Sequence, residues 1–292
     1  IHILVRNPYW WAVDPEGNQL PYLDSITHRL FDSLDVFNMW IMNGEIDFQS
    51  RHVDIANYTL FKENEADGNY HLTKSIGAGH VAIHLNHTAK DPVLRRLFQN
   101  RDVRFALNYA VNREELNELV FDGMLTPKQY SPLMASDLWY EDQGFAHLGY
   151  DPDRANELLD AAGYAERDAD GFRIAPETGQ TISFEMEGLD PPGSMYEDAV
   201  LMIASYYEAV GIKGVYKYID RSLYEEKVVA NDMNVGTWAA DRADFPLIDP
   251  GIFTATNTQR PWAAAWGNWR ADPTRPNAEE PPEGHWIWEI WD

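Results

Sequence analysis

Cysteine is absent from this chain of 292 residues. Its absence excludes disulfide bonds, thiolate nucleophiles and cysteine-ligated zinc or iron–sulfur sites. It leaves the cellular compartment open, because a protein without thiols is compatible with either side of a membrane. Stability must therefore come from packing, and a chain of this length with 45% hydrophobic residues can form a sizeable core.

Basic residues are scarce as well. Lys and Arg total 23 against 47 Asp and Glu, which gives a formal net charge of −24. A surface of this sign repels phosphate backbones and anionic lipid headgroups, so we expect neither nucleic acid nor a membrane surface as a partner. Solubility in a salty medium explains the acidity most simply, and steering of a cationic ligand is the alternative.

Long apolar runs and a targeting segment are also missing. No run of apolar residues approaches the ~18 to 20 that cross a bilayer. The first residues, IHILVRNPYWW, lack the basic start and cleavage region of a signal peptide. Both this segment and the last residues, GHWIWEIWD, are apolar and abrupt, which indicates a piece of a longer protein.

The sequence instead contains alternating strand and helix patterns. Apolar residues at 81, 83 and 85 alternate with Ala82, His84 and Asn86, which predicts a strand. A buried-face spacing from Val103 to Val111 predicts a helix capped by Asp102, and further helices are predicted over 112–120, 151–163 and 195–210. Strands over 181–187 and 214–219 complete the pattern of a three-layer α/β domain.

Three segments carry a resemblance to a known family: NRDVRFALNYAVNREELNELVFDGMLTP, YDPDRANELLDAAGY and GTWAADRADFPLIDP. In this order they resemble extracellular solute-binding proteins of family 5, which deliver oligopeptides, nickel chelates or oligosaccharides to ABC importers. The resemblance implies a periplasmic binding protein-like II fold, two-lobed and three-layer α/β, of which this chain is a fragment holding mostly the second lobe.

The resemblance also implies a domain division. Residues 1–78 are expected to be part of the first lobe and residues 79–256 the second lobe. Residues 257–292, rich in Trp and Pro, are expected to be an insertion belonging to the second lobe. The lobes are expected to close on a ligand by hinging about residues 77–85.

The chain also matches the family's peptide-binding motif, and this match implies that Trp238 and Asp241 bind the ligand. In peptide-binding relatives the tryptophan contacts the ligand and the aspartate binds its α-amino group. An indole ring offers apolar area with little entropy to lose, and a nearby carboxylate gives a cation a charge-assisted bond. The insertion RADFPLI after Asp241 departs from the family's short pattern.

The class of ligand stays open between a small peptide and a short oligosaccharide. The family default is oligopeptide, whereas the eleven tryptophans favour sugar rings, which stack on flat aromatic faces. Trp262, Trp266 and Trp269 recur at helical spacing, either as such an aromatic stripe or, the simpler interpretation, as a small core.

Catalysis is the competing hypothesis. Glu185 and Glu187 on one strand face, or Asp241, Asp244 and Asp249 in one loop, could serve a glycoside hydrolase with paired carboxylates. Among 47 acidic residues such clusters arise readily as solvated surface. The nucleophile-elbow, phosphate-loop and HExxH patterns are absent from the sequence.

The histidines offer one weak metal candidate. His80 and His84 share a strand face near His87, but four residues of strand separate them by ~13 Å. We therefore expect no metal and no cofactor, and we expect His84 to be a polar ligand contact.

The sequence thus predicts a non-enzymatic, monomeric substrate-binding component that partners an ABC permease. Its expected location is periplasmic or extracellular, with lipid anchoring as one option.

Overall fold

The computed structural model describes residues 1–74, 80–131, 133, 139, 141–240, 250–256 and 261–292. The chain divides into two compact units, Ile1–Lys74 and Ser75–Asp292. No helix among these described residues combines the length and apolar character that a bilayer crossing needs.

The first unit has a short sheet and two helices. Strand β1 (His2–Val5) pairs antiparallel with β2 (Ser25–His28), and α1 (Leu34–Met42), a 3₁₀ helix (Ile55–Asn57) and α2 (Tyr58–Glu63) follow. Phe37 and Phe61 are its buried aromatic residues, and Phe31 packs on Phe37 with ring centres 4.8 Å apart.

The second unit holds the remaining elements. Its strands are β3 (His80–Leu85), β4 (Ile174–Ala175), β5 (Gln180–Thr181), β6 (Ser183–Gly188), β7 (Lys213–Tyr218) and β8 (Val235–Ala240). Its helices are α3 (Pro92–Gln99), α4 (Arg101–Ala110), α5 (Arg113–Phe121), α6 (Glu141–Gly144), α7 (Pro152–Ala161), α8 (Met195–Ala209), α9 (Arg221–Val229), α10 (Gly251–Thr254), α11 (Ala264–Ala271) and α12 (Ile287–Trp291).

The main sheet has the strand order β3-β8-β6-β7. Strands β6, β7 and β8 are parallel, and β3 runs antiparallel to β8. The connection β6-α8-β7 moves one way along the sheet, and β7-α9-β8 returns the other way across β6, so right-handed crossovers place α8 and α9 on opposite faces. The predicted three-layer α/β architecture is confirmed.

Each face of the sheet has its own packing. Phe184 and Met186 of β6 are buried on one face, where Phe184 meets Phe98 of α3 edge to face at 5.4 Å. On the other face a β-carbon at Gly236 would lie 2.5 Å from the hydroxyl of Tyr224, so only glycine lets α9 approach β8 this closely.

The helix caps largely follow the sequence. Asn112 accepts a hydrogen bond from the N–H of Glu115 at the start of α5, and Asp151 accepts one from Arg154 at the start of α7. The predicted Asp102 cap is wrong. Asn100 caps α4 and accepts from the N–H of Asp102, which lies in the first turn, because an amide oxygen two residues earlier reaches that donor first.

The Trp-rich C-terminal region forms a small core of its own. Trp266 is 1% exposed and packs with Ala255, Ala263 and Ile287. Trp262 precedes α11 and stacks on Trp286 with ring centres 5.8 Å apart, so the alternative of a single helical stripe of tryptophans is not formed. The interpretation as core is confirmed for Trp266.

Candidate functional site

The carboxyl ends of the parallel strands define a candidate binding site in the second unit. Strand β6 lies between β7 and β8. The chain passes from β6 to β7 in one direction along the sheet and returns across β6 to β8 in the other. Such a switch point in strand order leaves a crevice outside the carboxyl ends, where ligands of open α/β sheets bind. We therefore place the candidate binding site at the residues that end β6 and β8 and those that begin α9.

Trp238 lies at this edge, near the end of β8. Its half-buried ring meets the ring of Tyr224 edge to face at 5.2 Å, and Leu189 and Trp238 both pack on the cluster that contains Tyr224. The guanidinium of Arg221 lies 5.2 Å from the centre of the Trp238 ring. A ring held on one side by a helix and a cation has one orientation, which suits it to contact a ligand.

Arg221 reaches Trp238 because of how α9 begins. Asp220 lies two residues after the end of β7 and caps the helix by accepting a hydrogen bond from the N–H of Ser222 at 2.8 Å. Arg221 thereby starts the first turn, and its Nε donates to Glu225 at 3.0 Å. Sequence reasoning missed Arg221, although its position at the start of the helix that follows a strand of the parallel sheet was a usable signal.

A half-buried carboxyl group, that of Asp190, lies just beyond the end of β6. Burial, and secondarily the charge of Glu197, raise the pKa of Asp190 to about 6. The hydroxyl of Tyr216 donates to the carbonyl of Asp190 at 2.7 Å and lies 3.0 Å from its N–H, which fixes the backbone there. Asp190 is therefore a second residue of this edge that sequence reasoning missed.

Asp241, the predicted partner of Trp238, lies outside the described residues, as do Asp244, Asp249 and residues 77–79 of the expected hinge. The roles of Trp238 and Asp241 in ligand binding stay predictions.

His84 belongs to a different surface. It lies on β3 opposite Gly236 of β8, and it lines a cleft of about 1020 Å³ that runs along β3. Trp238 lies opposite Ala82 on the same sheet face but is not among the described residues lining this cleft. The structure therefore places His84 and Trp238 two residues apart in register, and of the two only His84 lines this cleft.

The glutamates of β6 are neutralised by lysines. Lys227 of α9 donates to both carboxylate oxygens of Glu187, which is 4% exposed. Lys217 of β7 donates to Glu185 at 2.9 Å and lies 4.0 Å from Glu187. These contacts form an ion-pair network between strand and helix, and they hold both carboxylates away from the acid–base pairing of a glycosidase.

The histidine cluster does not form a metal site in the described part of the chain, where no three His, Asp or Glu side chains converge as ligands. His87 is buried against Trp262 and Trp266, with ring centres 5.8 and 6.3 Å away. Its burial, reinforced by the charges of Arg104 and His285, lowers the pKa of His87 to about 3. His87 is therefore a neutral core residue.

An α/β unit that gathers an oriented indole, a guanidinium and a half-buried carboxyl at the carboxyl ends of its strands is typical of a ligand-binding α/β protein. The family described as bacterial extracellular solute-binding proteins, family 5 Middle, matches residues 1–277. The chain belongs to this family, and the resemblance found in the sequence is confirmed.

The individual relatives have names that refer to different ligands. The chain is 28% identical over 182 residues to the periplasmic alpha-galactoside-binding protein of Rhizobium meliloti (strain 1021), covering 59% of this chain and 26% of that protein. It is 34% identical over 145 residues to the glutathione-binding protein GsiB of Escherichia coli (strain K12), covering 50% of this chain and 26% of that protein.

A solved structure supports the same fold. The oligopeptide-binding protein OppA superposes with a TM-score of 0.70 and 35% identity, covering 99% of this chain and 48% of that chain. This chain therefore spans about half of the length of this structure and about a quarter of the two relatives above.

Proposed function

We propose that this chain is part of the substrate-binding component of an ABC importer, and that it captures a small peptide or a short oligosaccharide without altering it. One observation carries the proposal. Trp238, oriented by Tyr224 and Arg221, lies at the carboxyl end of β8 where the strand order of the sheet reverses. Membership of family 5 supports the same class of function.

The binding residues we propose are Trp238, Asp241 and His84. The ring of Trp238 gives apolar area to the ligand, and Asp241 three residues later gives a carboxylate to a ligand cation such as the α-amino group of a peptide. His84 contributes a polar contact from the cleft along β3. Arg221 joins this set as the residue that holds the Trp238 ring.

The relatives' names support both ligand classes. One relative is named for an alpha-galactoside and another for glutathione, itself a tripeptide, while the superposed structure is named for oligopeptides. We therefore propose the two classes together and separate them by experiment.

We also propose how the chain divides into lobes and how the whole protein works. Residues 1–78 belong to a first lobe, residues 79–256 to a second lobe, and residues 257–292 to an insertion of the second lobe. The whole protein is a monomer outside the cytoplasm, captures its ligand by lobe closure, and presents it to a permease.

A thermal-shift screen tests the proposal. Any ligand held by the native state raises the melting temperature, so di- to pentapeptides and short oligosaccharides, α-galactosides included, are each added to the chain. A hit that mass spectrometry recovers unchanged after long incubation supports capture. Hydrolysis of a hit, or a melting temperature that no compound of either class raises, overturns it.

A further inference from the structure

A closed cycle of aromatic contacts connects the C-terminal core to the cleft along β3. Trp262 stacks on Trp286, and both residues line the cleft. His285 contacts both Trp286 and Trp266, with ring centres 4.9 and 4.6 Å away. His87 closes the cycle, because its ring meets Trp262 and Trp266 edge to face. Two imidazoles and three indoles therefore support one another in this aromatic cycle, and two of the indoles form part of the cleft wall.

His285 also fixes the start of α12. Its Nδ1 accepts a hydrogen bond from the N–H of Ile287, the first residue of the helix, at 3.2 Å. Ile287 is fully buried, so its N–H needs this acceptor. A neutral imidazole that accepts through Nδ1 carries its proton on Nε2. The neutral form of His285 therefore holds the first residue of α12 and the ring of Trp286 at the same time.

The charges that face His285 disfavour its protonation. The titratable groups that interact with it from other elements are Arg104 of α4 and His87, which follows β3, whereas α11 meets it with an indole. Glu283 and Glu289 of its own segment are exposed. Burial, and secondarily the charge of Arg104, lower the pKa of His285 below its ordinary value of 6.5. His285 is therefore neutral at pH 7.5 and gains a proton only in more acidic solution.

Protonation of His285 removes the acceptor of the Ile287 N–H. Both ring nitrogens of an imidazolium carry protons, so Nδ1 becomes a donor that points at another donor. The new charge is also repelled by Arg104 in a partly buried place. Turning outward into water relieves both effects. Trp286 follows directly in the chain and is 43% exposed, so its ring then loses the support of the imidazole.

We propose that His285 is a pH-dependent positioning residue of the cleft: the neutral imidazole holds Trp286 against Trp262, and protonation releases Trp286 from the cleft wall. Ligand affinity is expected to fall about fivefold between pH 7.5 and pH 5, which corresponds to Trp286 being in place in about one fifth of the protonated molecules. This change in affinity rests on the proposed function, because it assumes a ligand in the cleft. The movement of Trp286 does not.

Fluorine NMR of the chain labelled with 5-fluorotryptophan tests the movement without any ligand. The resonance that disappears in Trp286→Phe belongs to Trp286, and it is expected to shift on acidification with a midpoint below 6.5. In His285→Asn the amide oxygen still accepts from the N–H two residues later but does not titrate, so this shift is expected to disappear. His28→Asn, at an exposed position of β2, is the matched control and keeps the shift.

Three results overturn the proposal. The first is a Trp286 resonance that does not move with pH, and the second is a shift that persists in His285→Asn. The third is a midpoint at or above 6.5, because the attraction of an imidazolium to the indole faces then prevails. Should His285→Asn fail to fold, the imidazole of His285 is titrated by proton NMR in the unaltered chain. Its midpoint is expected to equal that of Trp286, and different midpoints overturn the proposal as well.

Isothermal titration at pH 7.5 and pH 5 with the best hit of the ligand screen measures the consequence for binding. The affinity is expected to fall about fivefold in the unaltered chain and in His28→Asn, but not in His285→Asn. Equal falls in all three overturn the role of His285 at the cleft. A screen without any hit overturns the proposed function instead, and the NMR titration then decides the movement of Trp286 by itself.

Discussion

The guanidinium of Arg221 lies 5.2 Å from the centre of the Trp238 ring, at the carboxyl end of β8. The two residues come from neighbouring elements of the sheet unit, since Arg221 starts α9 and Trp238 nearly ends β8. Their contact links the fold to the proposed function, because α9 orients the ring that the ligand is proposed to touch.

Arg221→Ala is expected to weaken ligand binding by about 1 kcal/mol, since a guanidinium over an indole is worth about that much at a partly exposed site. Isothermal titration with the best hit of the ligand screen measures it. Arg270→Ala is the matched control, because Arg270 also lies over a tryptophan, 5.8 Å from the ring centre of Trp291. Equal losses in the two variants would show a general effect of removing a charge.

The carboxyl of Asp190 is expected to make stability depend on pH. Its pKa is about 6 in the folded chain against an ordinary value of 3.8, so the unfolded chain releases this proton first as the pH rises. The contribution of Asp190 to stability therefore falls between about pH 4 and pH 6 and stays lower above pH 6.

Asp190→Asn accordingly raises the melting temperature by a few degrees at pH 8 and leaves it nearly unchanged at pH 4. Thermal unfolding followed by circular dichroism at the two pH values measures this. Asp170→Asn, at an exposed position with the same change of charge, serves as the control. A shift of the same size at both pH values contradicts the assignment to burial.

The partly buried ion pair of Lys227 and Glu187 is expected to be a major support of this edge. Lys227→Met leaves a carboxylate that is 4% exposed without its nearest cation, which costs about 3 kcal/mol of unfolding free energy. Urea denaturation measures the loss. Adding Glu187→Gln to the same chain recovers most of it, because the uncompensated charge is then gone.

Lys90 provides the comparison for this pair. It binds Asp232 with both side chains about half exposed, 54% and 53%, so Lys90→Met is expected to cost less than about 1 kcal/mol. If the two lysine variants lost equal stability, burial would not be what makes the Glu187 pair important.

Local signals in the sequence predicted much of this fold. The alternation at β3 and the Asn112 cap of α5 rest on neighbours within four residues, and the structure shows both. The cap of α4 was misplaced by two residues because the apolar spacing locates a helix start only to within part of a turn. The resemblance to family 5 supplied the architecture that these local patterns could not.

Long-range relationships account for what the sequence could not predict. The side chain of Asn86 donates to Asn231 at 2.8 Å across 145 residues, which fixes the end of β3 against the end of α9. The position of Arg221 over Trp238 similarly depends on how α9 packs on the sheet. Such contacts depend on chain topology, so neither residue's own surroundings in the sequence indicate the partner.

Trp238 provides the most direct test of the account. Isothermal titration with the best ligand is performed on Trp238→Ala and on Trp269→Ala, which removes a half-buried tryptophan from the C-terminal cluster. Loss of an aromatic contact at the ligand is expected to weaken binding by about 2 kcal/mol or more in Trp238→Ala only. Unchanged affinity in Trp238→Ala, with the chain still folded, contradicts the proposed site.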